Sequence, residues 1–232
     1  MKKSRLFFLG TVLVLVGSAQ SPGQGKLTPD QIEKVHSHLF HKGPVGQIPD
    51  MLSKGTGDVH IPCVVAVVQQ IWGTPEQELS MFASNSDLVV LAKADSETPH
   101  TTTDKDFLYT DWNFVVEEVL KDNPKASVQP GTTILVTRPG GKLVINKRMV
   151  YANCADFREF YSGQEYLLYL RYVPETGAYS IDAGSRAYYV SAMGIRHLDS
   201  VNSYPEPAND KDTLLKTARD GVAASKSQGG VQ

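Results

Sequence analysis

Residues 111–123 read DWNFVVEEVLKDN, and their spacing carries the argument about the fold. Trp112, Phe114 and Val116 alternate as a half-buried strand does. The next position in step is Glu118, and the apolar series resumes only at Val119. A jump of three exchanges the two faces of a strand, which one inserted residue, a β-bulge, accomplishes. The alternative is that residues 117–122, EEVLKD, form a short helical turn at the end of the strand. In either case the segment is long and curls, as a small closed sheet requires.

Working outward, the strands follow one another without helices between them. Residues 87–95 (DLVVLAKAD) read as the first strand, residues 96–106 as a polar loop, and residues 107–119 (FLYTDWNFVVEEV) as the second. Residues 122–131 form a turn region, residues 132–139 (TTILVTRP) a third strand, Gly140-Gly141 a hairpin turn, and residues 142–150 (KLVINKRMV) a fourth. In the fifth, residues 164–173, Tyr166, Leu168, Leu170 and Tyr172 share one face, while Leu167, Tyr169 and Val173 share the other. Both faces are apolar, so the outer one needs a cover. Residues 178–183 and 185–190 supply shorter strands after the PETGA turn. Consecutive strands joined by turns imply an antiparallel sheet. The expected fold is mainly β with flanking helices, a small antiparallel OB-like barrel over residues 86–198.

Three helices flank it in this reading. Thr28, Pro29 and Gln31 make a capping box for a helix with an apolar stripe of Ile32, Val35 and Leu39, ended by Gly43-Pro44. After a loop over residues 43–60, the run from Cys63 to Val68 reads as a buried strand, although a buried helix has the same pattern. Thr74-Pro75-Glu76-Gln77 repeats the capping box before a helix carrying Leu79 and Phe82. The first two helices are the available cover for the sheet. Residues 20–85 form an N-terminal segment packing on the barrel. In residues 199–232, a linker leads to a helix capped by Asp210 and bearing Leu214, Ala218 and Val222, then to a disordered tail.

The beginning of the chain bears on compartment. Lys2, Lys3 and Arg5 precede an 11-residue apolar run, Leu6 to Val16, and Gly17 and Ala19 stand where signal peptidase requires small side chains. The run is short of the roughly 20 residues a spanning helix needs. Residues 1–19 therefore read as a signal peptide, and the mature chain as a periplasmic or extracellular protein with no membrane span. Without them, 20 basic residues remain against 25 acidic ones, a charge of −5. This balance, with no basic cluster, argues against nucleic acid as a partner. The two cysteines, Cys63 and Cys154, are expected to pair in an oxidising compartment. Two buried free thiols are the alternative.

Residues 86–94 (SDLVVLAKA), 112–122 (WNFVVEEVLKD) and 161–171 (YSGQEYLLYLR) together resemble, in order and pattern, the barrel of netrin-like modules and tissue metalloproteinase inhibitors. They are also similar to exported bacterial proteins of the same pattern. The resemblance spans about residues 86–190 and implies an OB-type fold. It does not carry the inhibitory mechanism, which uses a cysteine at the mature N-terminus. Here that terminus is expected at Gln20, and no cysteine precedes position 63.

Few residues are placed for chemistry. His36, His38 and His41 lie on a helix where 38 and 41 are neighbours but 36 and 38 diverge, as on an ordinary surface helix. His60, Cys63, Cys154 and His197 form a possible zinc set only if the thiols are free. A Cys63 nucleophile with His60 or His197 as base is the corresponding hydrolase reading, although an apolar surrounding makes the thiol inert. Asp104, Asp106 and Asp111 read as solvated acids rather than a calcium site. Nucleophile elbows, phosphate loops and zinc-protease motifs are absent from the sequence. No catalytic residue, metal or cofactor is assigned. Tyr109, Trp112, Phe160 and Tyr161 are the candidate binding aromatics, since OB-type barrels bind ligands on one open face. The leading expectation is a non-enzymatic module for a protein or peptide partner, with a hydrolase or thiol or metal enzyme and a netrin-like protease inhibitor as alternatives. The compartment is checked by intact mass: the secreted form is expected to begin at or near Gln20.

Overall fold

The computed structural model describes residues 27–40, 46–63, 74–154, 157–181, 186–198 and 208–228. The expected signal peptide and linker over residues 1–26, the expected Gly43-Pro44 stop, residues 64–68 of the expected strand, residues 199–207 of the expected linker and the expected tail from 229 lie outside them. Among the described residues, ten strands form two sheets and four helices flank them.

The opening stretch decides its own question. Strand β3 (Leu108–Lys121) stays extended to its end, so the helical-turn alternative does not hold. It pairs antiparallel with β2 (Leu88–Thr101), and the register skips Glu117: Ala92 faces Val116 while Leu91 faces Glu118. The extra residue returns Val119 to the side on which Phe114 and Val116 are buried, where it packs against the core. Two further shifts, between Val89 and Val90 and between Ala94 and Ser96, add to the coiling. The supposed polar loop over 96–106 is mostly strand as well. Thr98 to Thr101 continue the ladder with Leu108 to Asp111, and only a tight turn separates them.

The larger sheet has the order β10-β9-β7-β2-β3-β4-β8, with β4 Thr133–Pro139, β7 Glu165–Val173, β8 Ala178–Ser180, β9 Ala187–Ser191 and β10 Gly194–His197. Strand β8 bonds to β4 on one side and to β7 on the other. The sheet is mixed rather than antiparallel, because β4 and β8 run parallel. The Gly140 corner is not a hairpin turn. Gly140 (φ 83°) turns the chain out of β4 into β5 (Gly141–Ile145), and a Cβ there would stand 2.5 Å from the Ala152 carbonyl oxygen. The expected fourth strand is in fact a hairpin: β5 and β6 (Arg148–Cys154) are joined at Asn146-Lys147, both at positive φ. They leave the main sheet and pair with β1 (Val59–Cys63), which runs parallel to β6.

Two apolar layers follow from the alternation in β2 and β7. Leu88, Val90 and Ala92 face Tyr166, Leu168 and Leu170 in the main core. Val89 and Leu91, with Leu167 and Tyr169, form the outer layer. Helices α3 (Pro75–Ser84) and α4 (Lys211–Gln228) cover that layer through Leu79, Phe82, Leu214, Ala218 and Val222. Each of the larger side chains, Leu79, Phe82, Leu214 and Val222, contributes about 2 kcal/mol. A Cβ on Gly221 would meet the Ser80 nitrogen at 3.0 Å, so a bare glycine lets α4 approach α3. The Thr74 and Asp210 caps form as expected, through Gln77 N–H at 3.3 Å and Thr213 N–H at 2.8 Å. The tail prediction is corrected, since α4 continues to Gln228.

Helix α1 (Pro29–Phe40) does not join this cover. It lies against β3, with Phe40 stacked on Tyr109, and it buries His36, Ser37 and Phe40. Leu39, expected in the stripe, is 42% exposed. The expected loop over 43–60 holds helix α2 (Gln47–Ser53), which the main-chain bonds Gly46 N–H to Asp104 O and Ile48 N–H to Lys105 O fix in place. Its Ile48 joins the core. Strand β1 likewise begins earlier than expected, at Val59.

Cys63 and Cys154 end paired strands with Cα atoms 4.6 Å apart and form a disulfide across 91 residues of sequence. A closure of that length contributes about 4 kcal/mol in the chain-entropy description. Replacing both cysteines by serine is expected to lower the unfolding free energy by about that amount, read from urea unfolding with the slope fitted for each form, since the uncrosslinked unfolded chain exposes more surface and steepens it.

Candidate functional site

Arg138, next to the last residue of β4 before the glycine corner, is the unusual residue of the fold. It is 3% exposed, and among the described residues its guanidinium bonds to main-chain carbonyls. Nε donates to Pro139 O, Nη1 to Arg158 O and Nη2 to Phe157 O, each at 3.0 Å. The cation also lies 4.1 Å from the Phe157 ring centre and 5.6 Å from that of Phe160. It therefore holds the stretch between β6 and β7 against the end of β4. Burial pulls its pKa down to about 10, Glu159 and Glu97 acting in the opposite direction, so it remains a cation at neutral pH.

A cavity of about 680 Å³ opens over this stretch, between it and the β9–β10 hairpin. Tyr166, Tyr189, Phe157 and Leu198 give it apolar walls, and Cys154 of the disulfide lines it too. The Tyr166 hydroxyl accepts from Tyr161 N–H at 2.8 Å, and the Tyr189 hydroxyl donates to Gln164 Oε1 at 2.8 Å. Burial raises the Tyr166 hydroxyl to about 12, so the wall is uncharged. Its charged lining is Arg138, Arg158 and Arg196 against Glu159, and Glu159 already faces Lys142 at 3.7 Å. The volume is in the range of small-ligand and peptide-end sites.

The four candidate aromatics separate. Tyr109, Trp112 and Phe160 are interior, at 0%, 4% and 2% exposure. Trp112 and Phe160 belong to an edge-to-face cluster with Phe114, Phe157 and Tyr166 that supports the cavity from below. Tyr161 alone is both at the cavity and 62% exposed. His197 lines the cavity and packs on Tyr188 at 4.5 Å. His60 stacks on Tyr151, on the smaller sheet. Because the two sulfurs are bonded to each other, neither the Cys63 nucleophile nor the zinc set retains a thiolate.

A second constellation was not legible as such. His36, read as one of several surface histidines, is wholly buried. Its Nδ1 lies 3.1 Å from both oxygens of Asp111, and its Nε2 lies 3.0 Å from Thr176 Oγ1. His100 reaches the same carboxylate at 3.5 Å and stacks on Tyr109. A hydroxyl, an imidazole and a carboxylate in line have the outline of a nucleophilic triad. The surroundings do not serve that chemistry. Thr176 Oγ1 also accepts from Ala178 N–H, and the N–H groups of Thr176 and Gly177 both donate to Val173 O, leaving those donors unavailable to an oxyanion. The array is a clasp joining α1, β3 and the β7–β8 turn. Asp111 thus belongs to the clasp, while Asp106 accepts from Thr102, so the aspartates of this region diverge.

No protein-family model and no curated protein matches the chain.

His36→Ala leaves the buried Asp111 carboxylate with only the more distant His100 of its two histidines and is expected to cost about 3 kcal/mol. His38→Ala, on the exposed side of the same helix, is expected to stay within about 0.5 kcal/mol. Urea unfolding of both variants checks the contrast.

Proposed function

We propose that this chain is an exported, non-enzymatic binding module on an OB-like barrel, with the cavity beside Arg138 receiving a protein or peptide partner. The pairing circuit supports the barrel: the ladder β7-β2-β3-β4-β8 returns to β7, with five strands as an OB-type barrel has. The same circuit favours the netrin-like resemblance of residues 86–190. Export is supported by the composition of residues 1–19 and by the disulfide. No helix among the described residues is long and apolar enough to cross a membrane.

One observation carries the functional reading. A half-open cavity with aromatic walls has a largely exposed tyrosine, Tyr161, at its lining and a cationic floor. Amphipathic aromatics and arginine are the side chains that dominate binding energy at interfaces. A hydrolase at the same place would need a nucleophile within reach of His197, and the cysteine in the lining is in the disulfide.

A partner captured from the envelope or culture fluid of the native organism provides the test. Tyr161→Ala is expected to weaken its binding by about 30-fold, roughly 2 kcal/mol, and His60→Ala to leave it unchanged. Normal partner binding by a folded Tyr161→Ala, or loss of a turnover activity in a folded His197→Ala, would overturn the reading.

A further inference from the structure

We infer that the cavity takes a peptide carboxylate on Arg138. The inference rests on the reading of the cavity as a partner site and adds the chemistry of what enters it.

A buried guanidinium that forms no ion pair among the described residues is the starting point. Burying a cation is costly unless it is paired, and a bidentate carboxylate is its best partner. Arg138 has carbonyls and ring faces instead, and no described carboxylate forms an ion pair with it. These bonds use three of its five N–H donors. The two that remain belong to a side chain in the lining of a 680 Å³ cavity.

The field around it has the same sign. Arg158 and Arg196 are exposed at the cavity, and Glu159 is engaged by Lys142. The chain as a whole is acidic, with 25 Asp and Glu against 23 Lys and Arg, so this positive lining runs against the protein's own balance. Such a local inversion attracts and orients an anionic group.

The anion is a carboxylate rather than a phosphate on two grounds. One buried guanidinium matches one negative charge, whereas a phosphate of nearly two charges draws on several donors. The walls beside it, Tyr166, Tyr189, Phe157 and Leu198, suit the apolar or aromatic side chain of the same peptide. The carboxylate belongs either to a chain terminus or to an Asp or Glu, and the two sources are separable by experiment.

The test uses the full mature chain, with side-chain Nε–H signals of arginine observed by NMR. Three N-acetylated pentapeptides of one apolar-aromatic sequence serve as probes: a free C-terminus, a C-terminal amide, and an amide with a central Glu. Inorganic phosphate is the fourth probe. At least one carboxylate peptide is expected to bind at least about 10-fold more tightly than the neutral amide and to shift the Arg138 signal. Whichever of the two binds better names the source. Because Arg138→Gln also removes bonds to the 157–158 carbonyls, the exposed Arg158→Gln and Arg196→Gln are measured beside it. These are expected to keep the fold and weaken the carboxylate peptide by about two- to threefold, with less salt dependence. Equal binding of the amide peptide at the cavity would overturn the carboxylate inference and leave the partner-site reading standing. Phosphate shifting Arg138 at the same or lower concentration would also overturn it. If no probe moves the Arg138 or cavity tyrosine signals, the inference falls. The partner-site reading is then decided separately, by the Tyr161→Ala partner measurement.

Discussion

The architecture depends on one constraint: two fourteen-residue strands, β2 and β3, must pair along their whole length while coiling. A flat ladder of that length would carry β4 away from β7, and no three-residue strand could bridge them. The extra residue at Glu117 and the two neighbouring shifts bend the ladder enough for β8 to bond both β4 and β7. They also keep Phe114, Val116 and Val119 on the buried side despite the break in alternation. A local irregularity of register and the global return of the sheet on itself are thus one feature.

That bend also explains why a charged side chain can end up inside. Where β4 reaches the glycine corner, the chain leaves the sheet, and the stretch before β7 crosses the opening. Its carbonyls at 157 and 158 have no strand to bond to. Arg138 supplies three donors in a fixed fork, which no apolar side chain provides. Phe157 and Phe160 then pack on the cation and on the Trp112 cluster. The residue that completes the main-chain hydrogen bonding is therefore the residue that leaves the cavity positively charged.

The sequence discloses what rests on local period and leaves obscure what rests on distant partners. The break after Val116, the two faces of residues 166–173, the Thr74 and Asp210 caps and the cysteine pair are each set by near neighbours or by composition, and each was readable. The β5–β6 hairpin was missed because Asn146-Lys147 places a lysine where glycine is the usual signal. Helix α2 was missed because bonds from residues 104 and 105 hold its start. The stripe Ile32, Val35, Leu39 gave a face for α1 that the clasp overrides, since His36 finds Asp111 75 positions later. At the site, Tyr161 is among the candidate aromatics, whereas Arg138 enters the sequence reading only as a residue of the third strand. Its standing as the one charged residue of TTILVTRP is the available signal, and its meaning comes from carbonyls 19 and 20 residues further along.

The disulfide and Arg138 act on the same short stretch from its two ends. Cys154 closes β6 and is tied to the end of β1, so the chain enters the stretch from a covalently fixed point. Three and four residues later Arg138 takes the carbonyls of Phe157 and Arg158, and Arg158 N–H donates to Leu198 O after β10. The cavity wall is thereby held by a covalent bond, a cation and a sheet-edge hydrogen bond, although it is irregular in backbone. A wall fixed in advance loses little conformational freedom when a ligand arrives, and this lowers the free-energy cost of binding. It also makes the wall sensitive to reduction. Reduction would free the end of β6 while leaving the main sheet's ladder intact, so the cavity should loosen before the fold does.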